Sequence, residues 1–235
     1  FMQHPGSDED IWKDLPVRKR MSAFSSAATH ANLVLRAEDV SATIDALITW
    51  NLAEGHALEG RLDTERIGMS GHSFGAVTTQ AVSGQRSGLL QPDLAEERID
   101  AAIAFSPSPP QVGSPEKAFA KVFLPMMLMT GTKDDSPISD MDSEARQLVY
   151  PALPKSNDRY ELVLDGAEHS IFTDGAGLRK RSAPNPNHHR VILALATAFW
   201  DRYLMENEEA GAWLLGDAPR KVMESEDRYQ HALGE

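Results

Sequence analysis

The chain has 235 residues, of which 41% are hydrophobic and 25% charged, and this balance suits one compact domain, 1–235, with its own hydrophobic core. It contains no cysteine, which excludes disulfides, thiolate catalysis and cysteine-ligated metal. The net charge of -12 opposes binding to nucleic acid and to anionic membranes, and no apolar run reaches the roughly 18–20 residues needed for membrane insertion. Oligomeric state and cellular compartment do not follow from these properties.

Several stretches carry apolar residues at the spacing of a helix. In the first of them, Val40 and Ile44 begin an apolar stripe. The last follows Asn185, a suitable N-cap, and starts with Pro186, a residue favoured in the first turn of a helix. The predicted helices cover residues 37–53, 76–82, 141–150 and 186–206, and Pro151 is expected to end the third of them.

Short apolar runs alternate with these helices. They predict one strand that begins at Ile67 and further strands over residues 100–105, 123–130 and 159–164, the last of which is expected to be the final strand. Because these runs are apolar throughout, both faces of the sheet should be covered by helices. The predicted fold class is therefore α/β, with a mostly parallel sheet sandwiched by helices. In such sheets a ligand site lies beyond the carboxyl ends of the strands.

The sequence Gly-His-Ser-Phe-Gly, residues 71–75, lies between the first predicted strand and the helix that follows it. This Gly-x-Ser-x-Gly pattern in that setting predicts a nucleophile elbow, a sharp turn that exposes the Ser73 hydroxyl. Gly71 and Gly75 are expected where a larger side chain would collide as helix and strand pass each other. The pattern alone is also compatible with an ordinary glycine-flanked turn, so its setting carries the interpretation.

A serine hydroxyl needs a neutral imidazole to accept its proton, and that imidazole needs a carboxylate on its other nitrogen. His169 and Asp134 each follow a predicted strand and fit these two roles. Asp135 is adjacent to Asp134 and remains an alternative for the acid. The chain order serine, aspartate, histidine is the order of the α/β-hydrolase arrangement.

Attack on a carbonyl places negative charge on its oxygen, which N–H donors must stabilise. One predicted donor is the backbone N–H of Phe74, directly after the nucleophile. The second is expected from the turn at residues 4–7, where Ser7 is favoured and Gly6 is the alternative.

Three aromatic side chains near these positions are possible pocket residues. Phe105 and Phe172 are candidates to line an acyl pocket, although such residues more often belong to the core. His72, beside the nucleophile, is expected to pack or hydrogen-bond structurally, with the border of the pocket as the alternative. No metal site is predicted, because the neighbouring histidines 188 and 189 would point in different directions on a helix.

The chain resembles the α/β-hydrolase superfamily in four motifs. These are His-Pro-Gly-Ser (4–7), Gly-His-Ser-Phe-Gly (71–75), Thr-Gly-Thr-Lys-Asp-Asp (130–135) and Gly-Ala-Glu-His-Ser-Ile-Phe (166–172). The similarity extends from Phe1 to about Tyr203 and is closest to the branch that groups dienelactone-hydrolase-like proteins, platelet-activating-factor acetylhydrolases and cutinase-like polyesterases. It implies a serine ester hydrolase that forms a covalent acyl-enzyme and uses no metal or organic cofactor.

Two features depart from that branch. True dienelactone hydrolases use a cysteine nucleophile, whereas this chain has Ser73, so the resemblance does not extend to that activity. Members also have further strands before the oxyanion turn, and here the turn begins at residue 4, so the N-terminal strands of the sheet are expected to be missing.

Two hypotheses of different classes follow. The first is a carboxylic-ester hydrolase whose partner is a small-molecule ester with a small or medium acyl group, or a peptidase or polyesterase that uses the same three residues. The second is a hydrolase-fold binding or scaffold protein without catalysis. Reaction of Ser73 with a fluorophosphonate separates the two, because only an activated serine reacts quickly.

Overall fold

The structure, a computed structural model, describes residues 2–4, 9–86, 92–173 and 185–235. Within these ranges one five-stranded sheet has the order β1-β2-β3-β4-β5. The strands are β1 (Ile67–His72), β2 (Ile99–Phe105), β3 (Met126–Lys133), β4 (Arg159–Glu168) and β5 (Arg228–Ala232). Strands β1 to β4 are parallel to one another, and β5 is antiparallel to β4. The predicted mostly parallel α/β sheet is therefore confirmed.

Most of the described α-helices begin at a polar side chain that caps them. Thr29 accepts a hydrogen bond from the Asn32 N–H, and the predicted cap Asn185 accepts one from the Asn187 N–H. The described α-helices are α1 (Val17–Ala27), α2 (His30–Leu52), α3 (Phe74–Val82), α4 (Pro115–Phe119), α5 (Ser143–Arg146), α6 (Val149–Ala152), α7 (Pro186–Leu204) and α8 (Glu208–Leu215).

Helices cover both faces of the sheet because the buried strands send side chains to each face in turn. In β2, Ala102 and Ala104 join the hydrophobic cluster formed with α2, α3, α4 and α6. Ala101 and Ile103 join a second cluster, which is formed with α7 and α8. The core is thus divided into two layers, one on each side of the sheet, as a strand with continuous apolar character requires.

Two predicted elements differ from the structure. The strand over residues 159–164 is not the last one, because β5 pairs with it; β5 is short, and Tyr229 is its buried residue while Arg228 and Gln230 are exposed. The predicted helix over 141–150 is two short helices, α5 and α6, and Pro151 lies inside α6 instead of ending a helix. Proline is tolerated there because N–H groups in a first turn have no helical acceptor.

The three residues predicted for chemistry lie at one edge of the sheet. Ser73 follows β1, Asp134 follows β3 and His169 follows β4. The strands are paired nearly to their ends, with His72 opposite Phe105 in the β1–β2 pair. Their carboxyl ends therefore meet at the same edge, as expected for a parallel sheet.

Candidate active site

Ser73 is the single residue between β1 and α3, and its backbone is strained. Its φ is 57° and its ψ is -117°, values that cost a residue with a side chain about 1–3 kcal/mol. The Ser73 N–H donates to the Phe105 carbonyl (3.0 Å), and the Ser73 carbonyl accepts from the Val77 N–H (3.2 Å). These bonds to β2 and α3 hold the turn in place, so the side chain stands clear of both elements.

The two glycines that flank Ser73 have different surroundings. A Cβ on Gly71 would lie 2.3 Å from the Gly75 carbonyl oxygen, so the predicted collision exists at Gly71. The prediction was wrong for Gly75, because apart from its two chain neighbours and the nearby backbone of α3 no described atom lies within 4 Å of a Cβ built there. Gly75 belongs to the first turn of α3, and its own Cβ direction points away from β1 while its backbone approaches Gly71.

This difference predicts opposite effects of one added methyl group. Gly71→Ala should lower the free energy of unfolding by about 2–3 kcal/mol or more, because backbone atoms must move apart. Gly75→Ala should leave it unchanged or raise it by up to about 1 kcal/mol, because alanine favours the helical backbone. Urea unfolding of both variants at pH 7.5 measures the difference. Equal losses of stability in the two variants would contradict the geometry of the turn.

Ser73, His169 and Asp134 form a continuous chain of polar contacts. The His169 Nε2 atom lies 2.9 Å from the Ser73 Oγ atom, and His169 Nδ1 lies 2.6 Å from Asp134 Oδ1. The residues are separated by 96 and 35 positions in the sequence, so the fold alone brings them together. With the proton on Nδ1 directed at the carboxylate, Nε2 is free to accept the proton of Ser73.

Asp134 and Asp135 are clearly distinguished by their surroundings. Asp134 is fully buried, and its second carboxylate oxygen, Oδ2, accepts a hydrogen bond from the Thr130 hydroxyl (2.8 Å). Asp135 is exposed and accepts a hydrogen bond from the Ser143 N–H at the start of α5. Of the two carboxylates, Asp134 is the one that contacts His169.

Arg146, at the end of α5, belongs to the same cluster and was not identified from the sequence. Its Nε atom lies 3.2 Å from Asp134 Oδ1, and its Nη2 atom lies 3.3 Å from His169 Nδ1. The side chain is 2% exposed. Its position in a predicted helix gave no signal, because one arginine in a polar segment is usually on the surface.

The predicted pocket residues His72, Phe105 and Phe172 gather around His169. The His72 ring is 4.6 Å from the His169 ring and 5.8 Å from that of Phe172, which in turn lies 5.3 Å from Phe105. None of the three is among the described lining residues of the cavity beside Ser73. Their role as borders of an acyl pocket stays a prediction.

His72 is the histidine in the described chain with the most strongly shifted pKa. Burial, followed by the nearby His169, lowers the pKa of His72 to about 4, and its Nε2 atom is buried with no hydrogen-bond partner among the described residues. The folded protein therefore keeps this ring neutral at pH values where an unfolded histidine, with a pKa of about 6.5, takes up a proton.

The low pKa of His72 predicts that stability falls as the solution is acidified. Between about pH 6.5 and pH 4 the unfolded chain binds a proton that the folded chain does not, so the free energy of unfolding should fall by about 2 kcal/mol from pH 7.5 to pH 5 through this residue. His72→Phe, which keeps a ring in the aromatic cluster, should remove that part of the pH dependence. Urea unfolding at both pH values tests this, with the exposed His189→Gln as control. A pH dependence that is the same in wild type and His72→Phe would contradict it.

A cavity of about 430 Å³ opens at Ser73 between α1, α2, α3 and the loops after β2 and β3. Its apolar wall is formed by side chains that include Leu33, Val77, Ala81, Ile138 and Met141. Hydroxyl groups are contributed by Ser25, Thr29, Ser108, Ser136 and Ser139. Its described lining contains no aspartate, glutamate or lysine, although the whole chain is strongly acidic. Such a space accepts an uncharged molecule of small or medium size.

Phe74, the predicted first oxyanion donor, is the first residue of α3. Its N–H belongs to the first turn of a helix and has no acceptor within that helix. The Arg36 guanidinium lies 4.5 Å from the Phe74 ring and donates from Nε to Thr78, whose hydroxyl donates to the Phe74 carbonyl. Burial lowers the pKa of this arginine. Gly6 and Ser7, proposed for the second donor, lie outside the described residues.

Fold and site together define an α/β protein with a serine, a histidine and an aspartate in hydrogen-bond contact at the carboxyl ends of parallel strands. No protein-family model matches the chain, and no curated protein is significantly similar to it in sequence. In the described part of the chain, no helix has the length and apolar character needed to cross a bilayer. No group of three or more histidine, aspartate or glutamate side chains among those residues is arranged to hold a metal ion.

Proposed function

We propose that this chain is a serine carboxylic-ester hydrolase of the α/β-hydrolase superfamily. The observation that carries the proposal is the contact chain from Ser73 Oγ through the His169 ring to Asp134, with a strained serine at a strand-to-helix turn. A structural histidine or a strained serine alone would carry little weight. A serine, a histidine and a buried carboxylate in contact at the carboxyl edge of the sheet are the arrangement that acyl transfer requires.

In the first half of the reaction, Ser73 Oγ forms a bond to the ester carbonyl carbon while its proton moves to His169 Nε2. The charge on the carbonyl oxygen is met by the Phe74 N–H and a second donor, for which Ser7 and Gly6 are the proposed residues. When the bond to the leaving oxygen breaks, His169 Nε2 gives this proton to that oxygen. The alcohol departs, and the acyl group stays bonded to Ser73 Oγ.

In the second half, a water molecule replaces the alcohol and the roles repeat. His169 Nε2 takes a proton from the water as its oxygen bonds to the acyl carbon, and then returns the proton to Ser73 Oγ. The buried carboxylate of Asp134 stabilises the imidazolium in both halves. The products are one carboxylic acid and one alcohol, and the enzyme regains its starting protonation state.

The substrate is proposed to be an uncharged ester with a small or medium acyl group. The cavity beside Ser73 offers an apolar wall on α2 and α3 together with hydroxyl groups, and it offers no lysine for an anionic substrate group among its described lining residues. Arg146 also lines it, but the guanidinium is turned towards backbone carbonyls and Asp134.

Labelling with a fluorophosphonate probe tests the proposal directly. The purified protein should react within minutes, and peptide mapping should place the adduct on Ser73, because only a serine with an adjacent base reacts quickly. A panel of p-nitrophenyl esters from acetate to decanoate should then show hydrolysis with a preference for the shorter chains. If the protein is neither labelled nor hydrolyses any ester, the binding or scaffold hypothesis replaces the hydrolase. If it cleaves only peptides or polyesters, the proposed substrate class is wrong.

A further inference from the structure

We propose that Arg146 is a positioning residue of this site, which holds Asp134 and the loops around it so that one carboxylate oxygen faces His169. This inference rests on the proposed function, since it assigns a role within the same reaction. It adds a fourth residue, the buried cation Arg146, to the three catalytic residues that the sequence motifs predict.

The guanidinium lies among three strand ends and donates hydrogen bonds at two of them. Nε donates to the Asp134 carbonyl (2.6 Å) after β3, and Nη1 donates to the carbonyls of Ser106 (2.9 Å) and Pro107 (3.1 Å) after β2. Nη2 reaches His169 Nδ1, after β4. Because a guanidinium is a rigid planar fork, the bonds from Nε and Nη1 fix the loops after β2 and β3 relative to each other, which a flexible ammonium group cannot do.

The backbone at Ser106 supports this role. Ser106 is fully buried and has a φ of 60°, a conformation that is costly for a residue other than glycine. Its N–H donates to the Met129 carbonyl (2.8 Å), and its own carbonyl accepts from Arg146. The strained turn therefore directs a carbonyl at the guanidinium, which indicates that the surrounding structure is built to hold this arginine.

Charge balance explains why a cation is needed beside Asp134. A fully buried carboxylate loses its hydration, which costs several kcal/mol unless a positive group at the same depth offsets it. Burial lowers the pKa of the Arg146 guanidinium, and the carboxylates of Asp134 and Asp135 act against that shift. An arginine remains charged at neutral pH, so Arg146 is the permanent counter-charge of Asp134.

The contact between Arg146 and His169 shows that the arginine acts through the carboxylate. When Nδ1 carries the proton that the reaction requires, Nδ1–H and Nη2–H are both donors and cannot bond to each other. The shorter contact, 2.6 Å to Asp134 Oδ1 against 3.3 Å to Arg146 Nη2, is the one in which a donor meets an acceptor. Arg146 thus orients Asp134, and Asp134 orients His169.

Arg146→Lys is the deciding variant, because it keeps the buried positive charge and removes the fork. Rates are expressed per site titrated with the fluorophosphonate, so that only folded protein is counted. We expect kcat for p-nitrophenyl acetate to fall by roughly 100-fold, as displacement of a catalytic group by about 1 Å does, with KM changed less than about threefold. Arg146→Ala should be slower still, and guanidinium at low millimolar concentration should restore its kcat at least tenfold, whereas urea should not.

The control is Arg159→Met, which removes a guanidinium at the opposite end of β4, where it donates to the Pro154 carbonyl. Its kcat should stay within about twofold of wild type. Folded Arg146→Lys with kcat within threefold of wild type would overturn the inference and leave the ester hydrolase intact, whereas a wild type without labelling or hydrolysis would overturn the proposed function itself. If Arg146→Lys does not fold, the ¹⁵N resonance of Arg146 Nε–H decides: it must shift when wild-type Ser73 is phosphonylated, and an unchanged resonance overturns the inference.

Discussion

Ser73→Ala is expected to lower kcat for p-nitrophenyl acetate by on the order of 10⁶-fold. The alanine removes the atom proposed to bond to the acyl carbon, and no other hydroxyl contacts His169 Nε2 among the described residues. Stability should change little, because alanine is similar in size to serine and bears the same backbone strain at φ 57°. Purified wild type and variant, compared at pH 7.5 with equal protein, give the measurement.

Ser70→Ala is the matched control, since Ser70 is an exposed serine on β1 three residues before the nucleophile. It should retain wild-type kcat and full fluorophosphonate labelling. Equal rates of hydrolysis by wild type and Ser73→Ala would show that the measured activity belongs to another residue or to a contaminant, and the ester hydrolase would have to be abandoned.

The parts of this fold that the sequence predicted are those with a local cause. The turn at Ser73 could be predicted because a strand, a Gly-x-Ser-x-Gly sequence and a helix are contiguous, and α7 because Asn185 and Pro186 mark its start. β5 could not be predicted, because five residues with one buried face resemble a polar loop in sequence. It is a strand because it pairs with β4. Gly75 was misjudged because the spacing of two glycines does not say which one supplies the space.

The same distinction holds within the candidate site. Ser73, His169 and Asp134 could be proposed from their positions after predicted strands, because parallel strands end at a common edge. Asp134 was also favoured over Asp135 from the sequence, with Asp135 kept as the alternative. The contact that distinguishes the two and the presence of Arg146 needed the structure, since both depend on which side chains are buried together. The aromatic rings of His72 and Phe172 were expected near the site, and the structure places His72 beside His169 and Phe172 beside His72, while their role as borders of an acyl pocket stays a prediction.

Asp134→Asn is expected to lower kcat by on the order of 10⁴-fold, the second largest effect. The substitution keeps the shape of the side chain and removes its charge. Arg146 then remains 3.3 Å from His169 Nδ1 with no negative group between them to offset it, so the imidazolium that forms as Ser73 attacks is opposed by a buried cation. KM should change less than about threefold, because Asp134 is fully buried and does not line the described cavity.

Asp135→Asn is the matched control, an adjacent residue with the same change of charge. Because Asp135 is exposed and accepts only from the Ser143 N–H in the described contacts, its kcat should stay within about threefold of wild type. The two variants differ in net charge from wild type by the same amount, so any general effect of charge on the assay cancels between them. A greater loss of kcat in Asp135→Asn than in Asp134→Asn would mean that Asp135 is the acid. Equal small losses would mean that His169 works without a carboxylate. Either result is incompatible with a buried Asp134–Arg146 pair that orients the imidazole.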